Sequence, residues 1–258
     1  MISRNKARFI ISLQKKKVRE EEGLFIIEGD KLVKEFLSAR VPVKTLIANK
    51  EFITALPALS KECIEEVEVA SYEELKQVSA LKTPHNALAV VHIPERKMNP
   101  DDFFDKLCVA LDFVQDPGNL GTIIRAAAWF GIGNIVCSND CVDVYNPKVV
   151  QATMGAILQV NVYYSDLKKL ASLANEKGVP VFGTLLTGES IYSQKLGTRG
   201  IIMLGNESTG LSDELMPFIT KKIMIPGVGQ ARPGIESLNV GMAASVVFSE
   251  FFRQNSNL

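Results

Sequence analysis

The sequence predicts an α/β fold built as two successive layers. Short, β-branched apolar runs alternate with stretches of helical spacing along almost the whole chain, as sheets covered by helices require. One polar, proline-bounded stretch, Pro94 to Pro100 with Glu95, Arg96 and Lys97 inside it, interrupts the series and reads as a linker. The 258 residues, 47% of them apolar, supply enough volume for two packed cores. The predicted division is residues 1–97 and 98–258.

In the first layer, Phe9, Ile10, Leu13 and Val18 form the apolar face of a predicted terminal helix. Strands are predicted at 24–28, 45–48, 67–70 and 87–93, each short, apolar and rich in β-branched residues. Between them, 30–40, 50–61 and 71–81 carry helical spacing. Asp30 is placed as the N-cap of the first of these helices. Ser71 with Glu74 three residues on reads as a capping box.

A second series begins with a strand at 107–114, followed by a helix at 119–130, a strand at 134–137 and a helix at 147–158. Strands at 160–164 and 179–185 flank a helix at 166–177, and strands at 200–204 and 222–225 flank a short helix beginning near Ser212. A final helix is predicted over 237–253, with Leu238, Met242, Val246 and Phe248 suited to packing. Its Gly241, Ala243, Ala244 and Ser245 are small enough to let another helix approach closely. Strands regularly interleaved with helices predict a mostly parallel sheet covered on both faces. Nothing in the pattern gives the order of the strands.

Composition narrows the function. Cys63, Cys108, Cys137 and Cys141 form no CxxC pair, and only His85 and His92 accompany them. Those spacings fit neither a zinc site nor a disulfide framework, so no metal and a reducing cytoplasm are expected. The apolar runs are strand-length, short of the ~20 residues that span a bilayer. Net charge is zero, yet the first nineteen residues hold seven basic side chains and no acid. Arg4, Arg8, Lys15, Lys16, Lys17 and Arg19 are therefore candidate phosphate contacts. A solvated face on a terminal helix is the competing reading, and the two are compatible.

Three segments concentrate the polar chemistry, each where a strand-like run gives way to a loop or helix: residues 116–125, 204–212 and 225–240. Ligand sites of open α/β sheets lie at such strand ends. Asp116-Pro117-Gly118-Asn119 is turn chemistry, and Asn119 is placed as cap of the helix that carries Arg125. Gly205 and Gly210 bracket Asn206-Glu207-Ser208-Thr209, and a glycine there lets main-chain groups face a ligand. Ile225-Pro226 ends a strand, and Ser237-Leu238-Asn239-Val240 opens the last helix, whose exposed N–H groups suit polar ligand atoms. A dinucleotide-binding reading is poorly supported, because Gly118-Asn119-Leu120-Gly121 lacks the GxGxxG spacing.

Asn119-Leu120-Gly121-Thr122-Ile123-Ile124-Arg125, Leu204 to Ser212, and Ile225-Pro226 with Glu236-Ser237-Leu238-Asn239-Val240 together resemble the three motifs of the SpoU (TrmH) family of RNA ribose 2′-O-methyltransferases. The resemblance implies a SPOUT methyltransferase domain with a deep trefoil knot, S-adenosylmethionine as cofactor and a homodimer. It implies Arg125 as the central catalytic residue, with Asn119, Glu207, Ser237 and Asn239 around it. Thr184, Gly205, Ile225 and Leu238 correspond to the cofactor pocket. Where the family usually carries a second glycine and a basic residue, this chain has Ser208 and Thr209. Arg19 to Gly29, with His85-Asn86-Ala87-Leu88-Ala89-Val90-Val91, resembles the RNA substrate-binding domain often fused ahead of this enzyme. Ribosomal RNA is the expected substrate and transfer RNA the next. An inert RNA-binding assembly factor on the same fold is the alternative, and retention of the polar set speaks against it.

Overall fold

The computed structural model describes residues 2–227 and 237–255. The chain divides into two compact units, one of Met1–Glu95 with Asp143–Leu158 and one of Arg96–Val142 with Gln159–Leu258. The segment 143–158 thus clusters with the first unit, although in sequence it interrupts the second alternating series.

The first unit begins with α1 (Arg4–Ser12) and α2 (Lys16–Glu22), two helices where one was predicted. β1 (Leu24–Glu28), α3 (Asp30–Ser38), β2 (Val43–Ala48), α4 (Lys50–Ala55), α5 (Ala58–Lys61), β3 (Ile64–Val69), α6 (Tyr72–Val78) and β4 (Ala87–His92) follow. The sheet runs β1-β4-β2-β3, with β4 antiparallel to both neighbours and β2 parallel to β3. Ile10 and Leu13 join Leu24, Ile26, Ile47, Leu75 and Val90 in its core, and Phe9 and Val18 pack against it. The predicted helix 50–61 is broken: Leu56 is extended ahead of Pro57, as the residue before a proline prefers to be. Asp30 is the first helical residue and not the cap. Its carboxylate instead accepts from Asn86 N–H (3.0 Å) and Nδ2 (2.8 Å). The Ser71–Glu74 capping box is present with both hydrogen bonds. α8 (Pro147–Thr153) packs on β1, and Tyr145 lies 4.6 Å, centroid to centroid, from Phe25.

The second unit holds β5 (Leu107–Leu111), α7 (Pro117–Trp129), β6 (Asn134–Cys137), β7 (Asn161–Tyr164), α9 (Leu167–Glu176), β8 (Val181–Ser190), β9 (Gly200–Leu204), β10 (Lys221–Met224) and α10 (Val240–Asn255). All paired strands are parallel, in the order β10-β8-β9-β5-β6-β7. Val181 sits in the core beneath α9, whereas the neighbouring Phe182 meets the Phe251 ring of α10 edge-on at 4.9 Å. Adjacent strand residues point to opposite faces, so helices cover both sides, as predicted. The last helix starts at Val240 rather than 237, and the predicted helix near Ser212 is a turn followed by a 3₁₀ turn at Met216–Phe218. Leu238 and Met242, predicted to pack, are exposed. Among the described residues no helix is long and apolar enough to cross a membrane.

Candidate active site

The order β10-β8-β9-β5 brings four strand ends side by side. Ile225 follows β10, Gly205–Gly210 follow β9, and Asp112–Asp116 lead from β5 into α7, while Thr184 stands within β8. From β5 the chain moves outward through β6 to β7, while β8, β9 and β10 fill the other side. The crevice between β5 and β9 is therefore a switch point of the sheet, where α/β ligand sites form.

β5 stops at Leu111, three residues earlier than predicted, because the chain turns sharply. Asp112 is buried and accepts from Ser212 N–H at 2.8 Å, and Phe113 takes a left-handed φ of +59°. Asp116, not Asn119, caps α7 and accepts from Asn119 N–H at 2.8 Å. This frees the Asn119 side chain for the site. Its Nδ2 donates to Glu207 Oε1, and its Oδ1 accepts from Asn239 Nδ2 at 2.9 Å. Asn239 in turn accepts from the N–H groups of Gly241 (3.0 Å) and Met242 (3.3 Å), capping α10. One relay, Glu207–Asn119–Asn239, thus ties the loop after β9, the start of α7 and the residue ahead of α10, three segments distant in sequence. It exists because α7 and α10 pack closely: a Cβ on Gly241 would stand 3.1 Å from Thr122 Cγ2.

Arg125 is exposed on α7, one helical stripe with Gly118, Thr122 and Trp129, spaced to share a face. Among the described residues none accepts a hydrogen bond or ion pair from it. Six positions from Asn119, it points to a different face of the helix from the relay.

The residues predicted for the cofactor separate into different kinds. Gly205 is dictated by the protein itself: a Cβ there would lie 2.2 Å from the Gly210 carbonyl carbon, because the loop folds back through paired Asn206 and Gly210 backbone bonds of 3.0 and 2.9 Å. Thr184 has a buried hydroxyl without a partner among the described residues. It stands where β8 leaves its ladder, Gly183 pairing with Lys222 and Glu189 with the next residue, Ile223. Ile225 is half-buried just past β10, and Ser237 and Leu238 are exposed. The loop residues Gln230, Ala231, Arg232 and Pro233, among which Arg232 is a weak RNA candidate, lie outside the described residues.

In the first unit, Arg4, Arg8, Lys15, Lys16 and Lys17 are exposed. Arg19 is not, and it leaves the set of RNA candidates. Its side chain is 2% exposed; Nη1 donates to the Leu13 (2.9 Å) and Gln14 (2.8 Å) carbonyls, and Nε to Asp143 Oδ2 at 3.0 Å. Lys6 is also occupied, by Glu66 and Glu68 at 2.6 Å each.

The description "SpoU rRNA Methylase family" matches residues 106–249, and "MRM3-like substrate binding domain" matches residues 4–89. The chain belongs to the SpoU rRNA methylase family. It is 30% identical over 236 residues to the 23S rRNA (guanosine(2553)-2′-O)-methyltransferase RlmP of Bacillus subtilis, covering 91% of each chain. It is 27% identical to the mitochondrial rRNA methyltransferase 3 of Mus musculus, over 92% of this chain and 69% of that one. A TrmH-family protein from Porphyromonas gingivalis has a similar structure, with a TM-score of 0.87 and 35% identity over 98% and 99% of the two chains. So does the AdoMet-bound rRNA methyltransferase of Sinorhizobium meliloti, with a TM-score of 0.85 and 27% identity over 98% and 97%.

Within this SpoU fold, the sequence does not single out Asp112 and Phe113, and it offers Asp116 and Asn206 only as turn and loop residues. Asn206 caps its own loop through Ser208 N–H (2.9 Å) and Thr209 N–H (3.3 Å), and its Nδ2 donates to Phe113 O at 3.0 Å. The signal available was the aspartate directly after an apolar strand, which marks a chain turn.

Proposed function

We propose that this protein methylates a ribose 2′-hydroxyl in large-subunit ribosomal RNA, using S-adenosylmethionine. The observation that carries the reading is the Glu207–Asn119–Asn239 relay at the switch point of the sheet, anchored at the start of α7, the helix that also carries Arg125, which is unpaired among the described residues. Bound S-adenosylmethionine supplies a methyl group activated by a positively charged sulfur. The Thr184 hydroxyl, buried and unpartnered among the described residues where β8 leaves its ladder, fits a polar ligand there, with Ile225 and Leu238 as apolar flanks.

The protein's work is alignment and proton removal. Orienting two reactants is worth about 7–11 kcal/mol, and the relay supplies rigidity by fixing the β9 loop and the starts of α7 and α10 against one another. A guanidinium keeps its proton at any pH a protein survives. Arg125 therefore acts as a cation that grips the phosphate beside the target and polarises the hydroxyl, and the proton leaves to phosphate or water. Ser237 and Asn239 stand at the α10 end of the relay, where they complete the hydroxyl's surroundings.

Arg4, Arg8, Lys15, Lys16 and Lys17 supply the phosphate-binding surface of the substrate domain. A homodimer through the methyltransferase domain is supported by Trp129 (83% exposed), Met242 and Phe252 on α7 and α10, apolar side chains that gain from being covered. The four free thiols accord with a reducing cytoplasm.

The test is transfer of labelled methyl to unmodified ribosomal RNA and, separately, to transfer RNA, with products mapped by resistance to alkaline cleavage. One resistant site in ribosomal RNA is expected. Transfer only to transfer RNA would correct the substrate. Failure to bind S-adenosylmethionine would overturn the reading in favour of an inert RNA-binding factor.

A further inference from the structure

Phe113 is the anomaly of the second unit. A bulky side chain at φ +59° is rare, because its Cβ crowds the following carbonyl. The strain is not offset by burial, since the residue is 41% exposed. Glycine or asparagine would hold this turn at less cost.

The backbone around it is nonetheless pinned at successive points. Phe113 N–H donates to Ser138 Oγ at 3.0 Å, and its carbonyl accepts from Asn206 Nδ2 at 3.0 Å. On one side Asp112 accepts from Ser212 N–H, and on the other Val114 N–H donates to Cys141 Sγ at 3.3 Å. These bonds come from the loops after β6 and β9, so the turn is held across three neighbouring strand ends. Asn206 immediately precedes Glu207, which places the anchor of the Phe113 backbone next to the Asn119 relay. Strain concentrates where a fold over-determines a residue for function.

We propose that the Phe113 ring is a stacking platform for a nucleobase of the RNA, either that of the target nucleotide or that of its neighbour, and so positions the ribose at Arg125. The inference rests on the RNA-methyltransferase reading above. RNA enzymes read unstacked bases by laying them on aromatic rings. Every base has a π-face, so the ring sets position and not base identity. Phe113 acts as a positioning residue and takes no part in proton transfer.

The experiment compares Phe113→Gly, Phe113→Asn and Phe113→Tyr in the full-length protein, measuring kcat and KM for ribosomal RNA, RNA affinity and S-adenosylmethionine affinity. Glycine and asparagine suit the left-handed turn, so both variants fold without the ring. Loss of one base stack lowers kcat/KM about 5- to 150-fold. That loss is expected in the glycine and asparagine variants, with cofactor affinity and oligomeric state unchanged and with near-full rescue by tyrosine. Wild-type kcat/KM in Phe113→Gly overturns the proposal, as does a loss that follows cofactor affinity or dissociation of the protein. If the unmutated protein transfers no methyl to any RNA, the functional reading fails instead, and the two failures are distinct.

Discussion

Arg19 and Lys17 lie two residues apart in one basic cluster, yet the structure gives them opposite roles. Lys17 is 85% exposed, and its Nζ is 3.8 Å from Glu21 one helical turn on. An exposed i,i+4 pair is worth about 0.3–0.5 kcal/mol, so Lys17→Ala should leave stability nearly unchanged. Arg19→Ala removes a 2%-exposed guanidinium from two carbonyls and from Asp143, itself only 15% exposed. Deleting one member of a buried pair costs about 3–5 kcal/mol, because the remaining charge is left without compensation. Each kcal/mol shifts the melting of a domain this small by about 4–8 °C, so the first unit should melt at least about 12 °C lower. Calorimetry of the full chain, with Asp143→Ala and the double variant completing a cycle, measures the coupling. The double variant should lose less than the sum of the singles. An unchanged melting temperature in Arg19→Ala, together with weaker RNA binding, would refute the buried-anchor reasoning and return this cation to the RNA surface.

Arg125→Ala should cut methyl transfer about 10²-fold or more while S-adenosylmethionine affinity survives; equal loss of cofactor affinity in a titration would remove its role at the hydroxyl and phosphate. Converting Lys15, Lys16 and Lys17 to Glu should weaken RNA binding and flatten its dependence on salt, by about 0.9 in log–log slope for each duplex phosphate no longer neutralised. An unchanged slope would leave these lysines as solvated surface. The Cys141 thiol is lowered from 9.0 to about 7 by the hydrogen bond from Cys137, assisted by Ser138 and Val114 N–H, with burial opposing. Its folded-state value lies below the unfolded one, so the stabilisation is complete above pH 9 and lost as pH falls through 7. Chemical denaturation should show stability rising across that window, and Cys141→Ser should abolish the rise.

Much of this was legible in the linear sequence. Local signals act within a few residues, and they located the strands of both sheets, the Ser71–Glu74 capping box and the polar residues at the strand ends. The alternation of strands and helices also implied a parallel sheet covered on both faces, because a parallel connection requires a crossover. Errors arose where a second local group competed: Asp116 took the cap assigned to Asn119, and Pro57 divided a helix whose apolar spacing ran on.

What the sequence alone determined is the inventory: which runs form strands, where loops must lie, and that polar residues such as Asn119, Glu207 and Asn239 gather at strand ends and helix starts. Only the tertiary structure decided the strand order β10-β8-β9-β5-β6-β7, the relay spanning 120 residues from Asn119 to Asn239, and the burial of Arg19 against a carboxylate 124 residues away. The physical reason is that local propensities depend on neighbours in the chain. Whether a charge faces water or a partner depends on which distant segments pack around it, and no local pattern encodes that.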